Sequence, residues 1–220
     1  IPAGTGLGSS GSFTVALLKA LFEFHKKNII SDKLAELACE IEINKLKNPI
    51  GKQDQYISAF GGVREFKFLK NGKVVSNNLK ISRDNLSILE ENLLLFFTGF
   101  SRDANNILKK QNDETKKNNN EIIENLNFIK KLGIKSKKSL EKGDFSKFAE
   151  LMNIHWEYKQ SRSKNMSNSK IDKTYKLALK NGAIGGKLVG AGGGGFLMFY
   201  SNDKEKLRFE MKKKGFEEVR

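Results

Sequence analysis

Four consecutive glycines, Gly192 to Gly195, stand between two strand-like segments in the stretch Lys187-Leu188-Val189-Gly190-Ala191-Gly192-Gly193-Gly194-Gly195-Phe196. Ordering such a run costs more backbone entropy than ordering residues with side chains. A folded chain keeps it where something must approach the main chain closely. That something is a ligand, another loop or a tightly packed strand turn. The run therefore demands β-structure on both flanks and a bare backbone at its tip.

A second glycine-dense stretch lies near the other end, Pro2-Ala3-Gly4-Thr5-Gly6-Leu7-Gly8-Ser9-Ser10-Gly11-Ser12. It leads into an apolar pattern of helical period. Glycines let backbone N–H groups reach an anion, and the N-terminus of the following helix adds unpaired donors and the positive end of its dipole. Ser9, Ser10 and Ser12 add hydroxyls for phosphate oxygens or Mg²⁺. Gly6, Gly8 and Gly11 also match G-x-G-x-x-G, so a dinucleotide site competes. That site needs an acidic residue ending a second strand about 20 positions on. Asp32 has the spacing but opens a segment of period 3.6, which disfavours it. No G-x-x-x-x-G-K-[ST] occurs, and a purely structural glycine turn with serine caps is the plain alternative.

Elsewhere the periodicities define an α+β chain. Phe13 to Lys27, with Val15, Ala16, Leu18, Ala20, Leu21, Phe22 and Phe24, predicts a well-buried helix started by Ser9 or Ser10 and ending near Asn28. Ser31 or Asp32 caps a second helix whose face of Leu34, Leu37, Ala38, Ile41 and Leu46 reaches about Lys47. Val63 to Val75, turning at Asn71-Gly72, predicts a β-hairpin. Asn92 to Thr98 reads as a buried strand broken by Gly99. Arg102 to about Tyr175 reads as mostly helical, with Asp144 capping one helix through His155 and a polar stretch from Lys116 to Glu121. A helix from Asp172 to Leu179, strands Ala183 to Val189 and Phe196 to Tyr200, and a helix from Lys204 to Lys214 complete the order.

The 38% hydrophobic content supports a core and excludes wholesale disorder. No stretch approaches the ~20 apolar residues a membrane helix requires. One cysteine, Cys39, excludes an intrachain disulfide and points to a reducing compartment and a buried thiol. The net charge of +15 invites a nucleic-acid reading. Only six of the 40 basic residues are arginine, however, and the lysines are scattered among asparagines. That is the pattern of solvated faces rather than of a phosphate-gripping stripe, though the field still attracts a small anionic substrate.

Three carboxylates, Glu40, Glu42 and Asp54, fall between the two glycine segments. Glu42 lies near the end of the predicted second helix. Asp54 opens a short helix after Asn48-Pro49-Ile50-Gly51-Lys52-Gln53. Phosphoryl transfer uses one carboxylate to hold Mg²⁺ and another to orient or deprotonate the acceptor hydroxyl. Two carboxylates alone are weak grounds, since most Asp and Glu are surface groups.

Together these segments resemble the GHMP kinase superfamily, which includes galactokinase and the homoserine, mevalonate and phosphomevalonate kinases. Pro2 to Ser12 resembles its central P-x-x-x-G-L-G-S-S-A motif, with Gly11 where the family more often has Ala or Ser. Lys187 to Phe196 resembles its C-terminal G-A-G-G-G motif, and Gly51-Lys52-Gln53-Asp54-Gln55 the segment carrying its catalytic aspartate. Gly51 to Gly62, Thr98 to Ala104 and Gly182 to Tyr200 look most like the heptose-phosphate branch. The family's N-terminal sugar-binding motif is absent and its last strand is cut short at Arg220, so the sequence is expected to be a piece of the whole.

The resemblance implies a two-domain α+β fold truncated at the N-terminus, with a ribosomal protein S5 domain 2-like first half and a ferredoxin-like α/β second half, divided as residues 1–84 and 85–220. It implies a cytoplasmic, ATP-dependent sugar-phosphate kinase using Mg²⁺. ATP and a sugar phosphate are the expected partners, nucleic acid and membrane are not, and a homodimer is admitted. Gly4, Gly6, Leu7, Gly8, Ser9 and Ser10 would bind ATP, with Gly190, Ala191, Gly192 and Gly193 shaping the other side. Ser10 and Glu42 would hold the metal, with Glu40 as the alternative, and Asp54 would be the base. Gln53, Arg102, Lys159 and Arg162 are candidates for the sugar phosphate, the cations because phosphate needs a positive pocket. Surface salt bridges are the plain alternative for them. Competing functions are a fucose-, galactose- or mevalonate-type kinase of the same fold, a non-enzymatic basic RNA-binding module and a catalytically silent regulator.

Overall fold

The computed structural model of the chain describes residues 5–99, 108–109, 113, 120–161 and 166–219. These form two units, one of residues 8–79 and one of residues 5–7 together with 80–219. The architecture is α+β in both, as expected.

In the first unit, helix α1 (Ser9–Phe24) starts from Gly8, which takes the left-handed conformation with φ 68° and ψ 26°. The expected serine cap is not used, and no side chain caps this end. A left-handed N-cap suits glycine, and it frees the serine hydroxyls for other partners. The helix ends at Phe24 rather than near Asn28, with Lys26 at φ 56° in the turn beyond it. The expectation that α1 is well buried is also corrected. Gly11 and Val15 are buried, but Phe13, Leu17, Leu21 and Phe24 are exposed. Apolar residues on every side of a helix report its total hydrophobicity, not how many faces its neighbours cover.

Helix α2 (Ser31–Cys39) has Ile30 at its N-cap position with no side-chain cap bond, so the expected cap by Ser31 or Asp32 is corrected: both lie in the first turn, and the helix runs into a π-helical turn, Glu40–Lys45. Leu46 N–H accordingly donates to Ile41 O, five residues back, at 2.9 Å. The predicted single helix thus holds to Lys45 but changes pitch after Cys39. Helix α3 (Gln53–Phe60) packs on both through Val15, Leu34 and Ala38, and through Ala35, Cys39 and Tyr56. Burial pushes the Cys39 thiol up to about 11. Strands β1 (Arg64–Phe68) and β2 (Val74–Asn78) form the predicted antiparallel hairpin, with Arg64 opposite Asn78 and Phe68 opposite Val74. Its turn places Gly72 at φ 83°, and Lys73 N–H donates to Asn71 Oδ1.

The second unit begins with α4 (Arg83–Asn92), which the sequence pattern does not announce. Ser82 Oγ accepts from Asn85 N–H and caps it. Strand β3 (Leu93–Phe97) follows directly. Then come α5 (Asn120–Lys142), α6 (Phe145–Ser161), α7 (Ser169–Lys180), β4 (Ala183–Leu188), β5 (Phe196–Ser201), α8 (Lys204–Lys213) and β6 (Glu218–Val219). Asp144 Oδ1, Asn168 Oδ1 and Asp203 Oδ1 accept from first-turn amides of α6, α7 and α8 respectively. The helix expected to end at His155 runs on to Ser161. The four strands form one antiparallel sheet in the order β4-β5-β3-β6.

One face of that sheet, with Leu94, Phe96, Leu188, Leu197 and Phe199, meets Trp156, Ile171, Ala178, Leu207 and Met211 in the main core. Helix α6 presses so closely on β4 that a Cβ at Gly185 would lie 2.0 Å from Ala149 O. Its Asn153 amide donates to Ile184 O at 3.2 Å and accepts from Gly186 N–H at 3.0 Å. Tyr175 Oη donates to Gly186 O at 2.8 Å. Among the described residues no helix is long and apolar enough to cross a membrane.

Candidate active site

Ser10 sits in the first turn of α1, and its hydroxyl donates to Glu42 Oε2 at 2.6 Å. Glu42 follows Leu34, Ala35 and Ala38 at helical spacing on the buried face and is 1% exposed, while Glu40 faces solvent and accepts from Asn44. Of the two glutamates, the structure brings only Glu42 to Ser10. Glu42 Oε1 has no hydrogen-bond partner among the described residues. A buried carboxylate oxygen without a donor is costly and calls for a partner. A hard carboxylate oxygen beside a serine hydroxyl suits Mg²⁺, which takes one or two protein oxygens and completes its shell with water and phosphate. Among the described residues no group of three or more His, Cys, Asp or Glu is disposed around a metal.

Asp54 lies in the first turn of α3, directly against the start of α1. A Cβ at Gly8 would be 3.3 Å from Asp54 Cγ, and a Cβ at Gly11 would be 3.1 Å from both the carbonyl carbon and Cβ of Asp54. Two glycines therefore let the carboxylate approach the helix end. Burial raises the Asp54 carboxyl above its usual range, a hydrogen bond from the Gln53 side chain pulls it down, and the Glu42 charge raises it further. Ser12 N–H donates to Gly8 O at 2.9 Å, so the amides of Ser9, Ser10 and Gly11 precede the first helical bond. No acidic side chain lies in that turn. The same end thus offers an anion several amide donors and the dipole's positive pole. The residues just before Asp54 line a cavity of about 320 Å³, formed by Gly51, Lys52, Gln53, Phe68, Leu69 and Gly72. Lys52 Nζ donates to Gly72 O at 2.8 Å across it. Gln55 is fully buried, and both its amide atoms lack partners among the described residues. Sequence reasoning assigns Gln55 no role, because burial without a partner leaves no trace in sequence.

In the second unit the close approach demanded by the C-terminal glycines turns out to be another stretch of main chain. A Cβ at Gly195 would be 2.0 Å from Thr5 O, and one at Gly190 would be 2.6 Å from Gly6 Cα. The two glycine segments pack backbone against backbone, with Gly6, Gly190, Gly192, Gly193 and Gly195 all at positive φ. Val189 N–H donates to Phe196 O at 2.9 Å and closes the loop. Gly195 O accepts from both the amide and the hydroxyl of Thr98, each at 2.9 Å. Gly193 N–H is engaged with Met166 O at 2.8 Å. Lys159, a candidate for the sugar phosphate, is 6% exposed. Its ammonium donates to Leu188 O at 3.3 Å and to Gly190 O, and stands 5.9 Å from the Trp156 ring centroid. Gly4, Arg102 and Arg162 lie outside the described residues.

Comparison with known proteins agrees in both units. Residues 1–62 match the family model described as the GHMP kinases N terminal domain, and residues 136–217 the one described as GHMP kinases C terminal. A D-glycero-alpha-D-manno-heptose 7-phosphate kinase of Campylobacter jejuni is 35% identical over 94% of this chain and 60% of its own length. A mevalonate kinase of Pyrococcus abyssi is 27% identical over 94% of this chain and 58% of its own length. Among solved structures, a D-glycero-D-manno-heptose 1-phosphate kinase from Bacteriodes thetaiotaomicron superposes with a TM-score of 0.72 at 30% identity, over the whole of this chain and 61% of that one. The chain thus spans about three fifths of the length of these relatives. With a matching model over each unit and likeness in both sequence and fold, the chain belongs to the GHMP kinase family.

Proposed function

We propose that the protein moves the γ-phosphoryl group of ATP to the anomeric hydroxyl of D-glycero-D-manno-heptose 7-phosphate, giving the 1,7-bisphosphate. The observation that carries this reading is the half-buried Asp54 carboxylate, held against the glycines at the amide-rich start of α1, in the unit where Ser10 meets Glu42. The unpaired amides of Ser9 and Ser10 hold phosphate oxygens. Ser10 Oγ and Glu42 would hold Mg²⁺, which when bound neutralises charge on the transferred group. Asp54 aligns the acceptor hydroxyl and takes its proton as the new P–O bond forms. Burial, by raising its proton affinity, makes it a better base than a solvated aspartate. Gln53 steadies the carboxylate and lines the adjoining cavity, which serves the sugar.

The relatives support a heptose phosphate as acceptor. One is named for the 7-phosphate and one for the 1-phosphate, so the product must be identified rather than assumed. The free, buried Cys39 thiol supports a reducing, cytoplasmic setting.

The test is ADP release with heptose 7-phosphate, galactose, fucose and mevalonate as acceptors, followed by ³¹P NMR of the product, for the unmutated protein and Asp54→Asn. We expect a product bearing phosphate at the anomeric position, and a kcat lowered about 10²–10⁴-fold in the variant with ATP affinity nearly intact. Equal turnover by the variant, or preference for one of the other acceptors, refutes the reading.

A further inference from the structure

We propose that Lys159 is a positioning residue for ATP: by clamping the Gly190 carbonyl it sets the 190–191 peptide so that the Ala191 N–H faces away from α6 as a phosphate donor. This rests on the kinase reading above and assigns Lys159 a role beneath the nucleotide rather than at the sugar phosphate.

A lysine ammonium withdrawn from water to 6% exposure must find strong acceptors, and two of those it has are main-chain carbonyls of the segment entering the glycine loop. Every described peptide bond is trans. In a trans peptide the C=O and the N–H of the same unit point in opposite directions. Drawing Gly190 O toward Lys159 therefore turns the Ala191 N–H to the opposite side. The clamp matters because the loop itself is pliant. Gly190 and Gly192 have φ of 76° and 111°, and main chain this rich in glycine has many alternative orientations of similar energy. Positive-φ residues of this kind curl successive amides into an anion-binding concavity, but only in one setting of the peptide planes. Gly193 N–H is already spent on Met166 O, which leaves Ala191 N–H as the donor set by the Lys159 clamp. Gly190 lies so tightly on Gly6, in the same unit, that not even a methyl group fits between them. The Trp156 ring, 5.9 Å from the ammonium, walls the lysine on another side.

Two measurements test this. In Lys159→Met, which keeps the length and apolar stem but loses the donors, we expect the KM for ATP to rise about tenfold, the equivalent of about one charge-assisted hydrogen bond. The KM for the acceptor and the inhibition constant of adenosine, which carries no phosphates, stay within about twofold, as for a loss confined to phosphate positioning. An unchanged KM for ATP, or equal losses for ATP and adenosine, overturns the proposal, the latter by making Lys159 merely structural. The second measurement uses the unmutated protein. On titration with ATP, the Ala191 amide resonance moves more than that of Gly193. A Gly193 shift as large as that of Ala191 overturns the proposal even if the variant fails to fold. If the unmutated protein binds no ATP, the kinase reading itself has failed, and that result is distinct from either outcome above.

Discussion

Gly11→Ala probes how Asp54 is held. A methyl group at position 11 would sit 3.1 Å from the carbonyl carbon and Cβ of Asp54 and 3.2 Å from the amide nitrogen of Gln55. Ordinary contacts begin near 3.4 Å, so α3 must retreat by about 0.3 Å, as in an overpacked core. Two of the atoms met are main chain, so no rotamer change relieves the contact. Ser58 Oγ, which donates to Asp54 O at 2.6 Å and lies 3.0 Å from Ser12 Oγ, ties the helix further to α1. Alanine gains about 1 kcal/mol of helix propensity, while overpacking costs about 1–3 kcal/mol, for a net loss of about 0–2 kcal/mol. A misplacement of 1 Å costs about a hundredfold in rate, so 0.3 Å scales to roughly fourfold. Steady-state kcat at saturating ATP and acceptor, with a urea melt on the same preparation, reads both numbers. A kcat equal to that of the unmutated protein would refute the claim that Gly11 sets the Asp54 position. So would a loss seen only in the KM for ATP.

Ser10→Ala removes the donor to Glu42 Oε2 and leaves a buried carboxylate whose other oxygen already lacks a partner. We expect a loss of about 1–3 kcal/mol in urea unfolding, and a higher Mg²⁺ concentration for half-maximal activity, because an unsatisfied buried acceptor is penalised in full. An unchanged melt would show that water satisfies Glu42. The raised Asp54 carboxyl predicts that the acid limb of kcat/KM lies above the ordinary aspartate value of about 3.9, since the base is lost as pH falls through its pKa. The stability effect has the opposite sign. A folded-state pKa above the unfolded one penalises the folded state at neutral pH, and the penalty disappears as the pH falls below both values. Asp54→Asn should therefore melt at a higher temperature than the unmutated protein at pH 7, with the gap narrowing in acid. A lower melting temperature at pH 7 would mean that the carboxylate stabilises the fold.

Much of this was legible in the sequence, and the reasons differ by element. Strands β3, β4 and β5 were readable because short apolar runs ended by glycine have few alternatives. The hairpin was marked by Asn71-Gly72, and α6 by the capping residue Asp144. Helix α4 was missed because its run from Arg83 to Asn92 is mostly polar and buries only Leu89, so no apolar stripe announces it. The π-helical turn was also invisible. A one-residue change of pitch leaves the apolar pattern almost intact. Asp54, Ser10 and Glu42 were nominated through the family resemblance, but the two contacts that let Asp54 approach, at Gly8 and Gly11, involve atoms that glycine lacks. The setting of Lys159 was hidden for a related reason. From the sequence it is one lysine among many, and only its burial and its carbonyl partners set it apart.

Strand β4 lies at the margin of its sheet, where a strand ordinarily offers bare hydrogen-bonding groups to any passing chain. Here Asn153 occupies Ile184 O and Gly186 N–H, Tyr175 occupies Gly186 O, and Lys159 occupies Leu188 O. An incoming strand would have to strip all of these bonds before making its own. The helices therefore seal this margin against edge-to-edge growth. A protein that exposes Phe13 and Phe24 elsewhere gains a safeguard against amyloid-like stacking at the one strand that leads straight into its glycine loop.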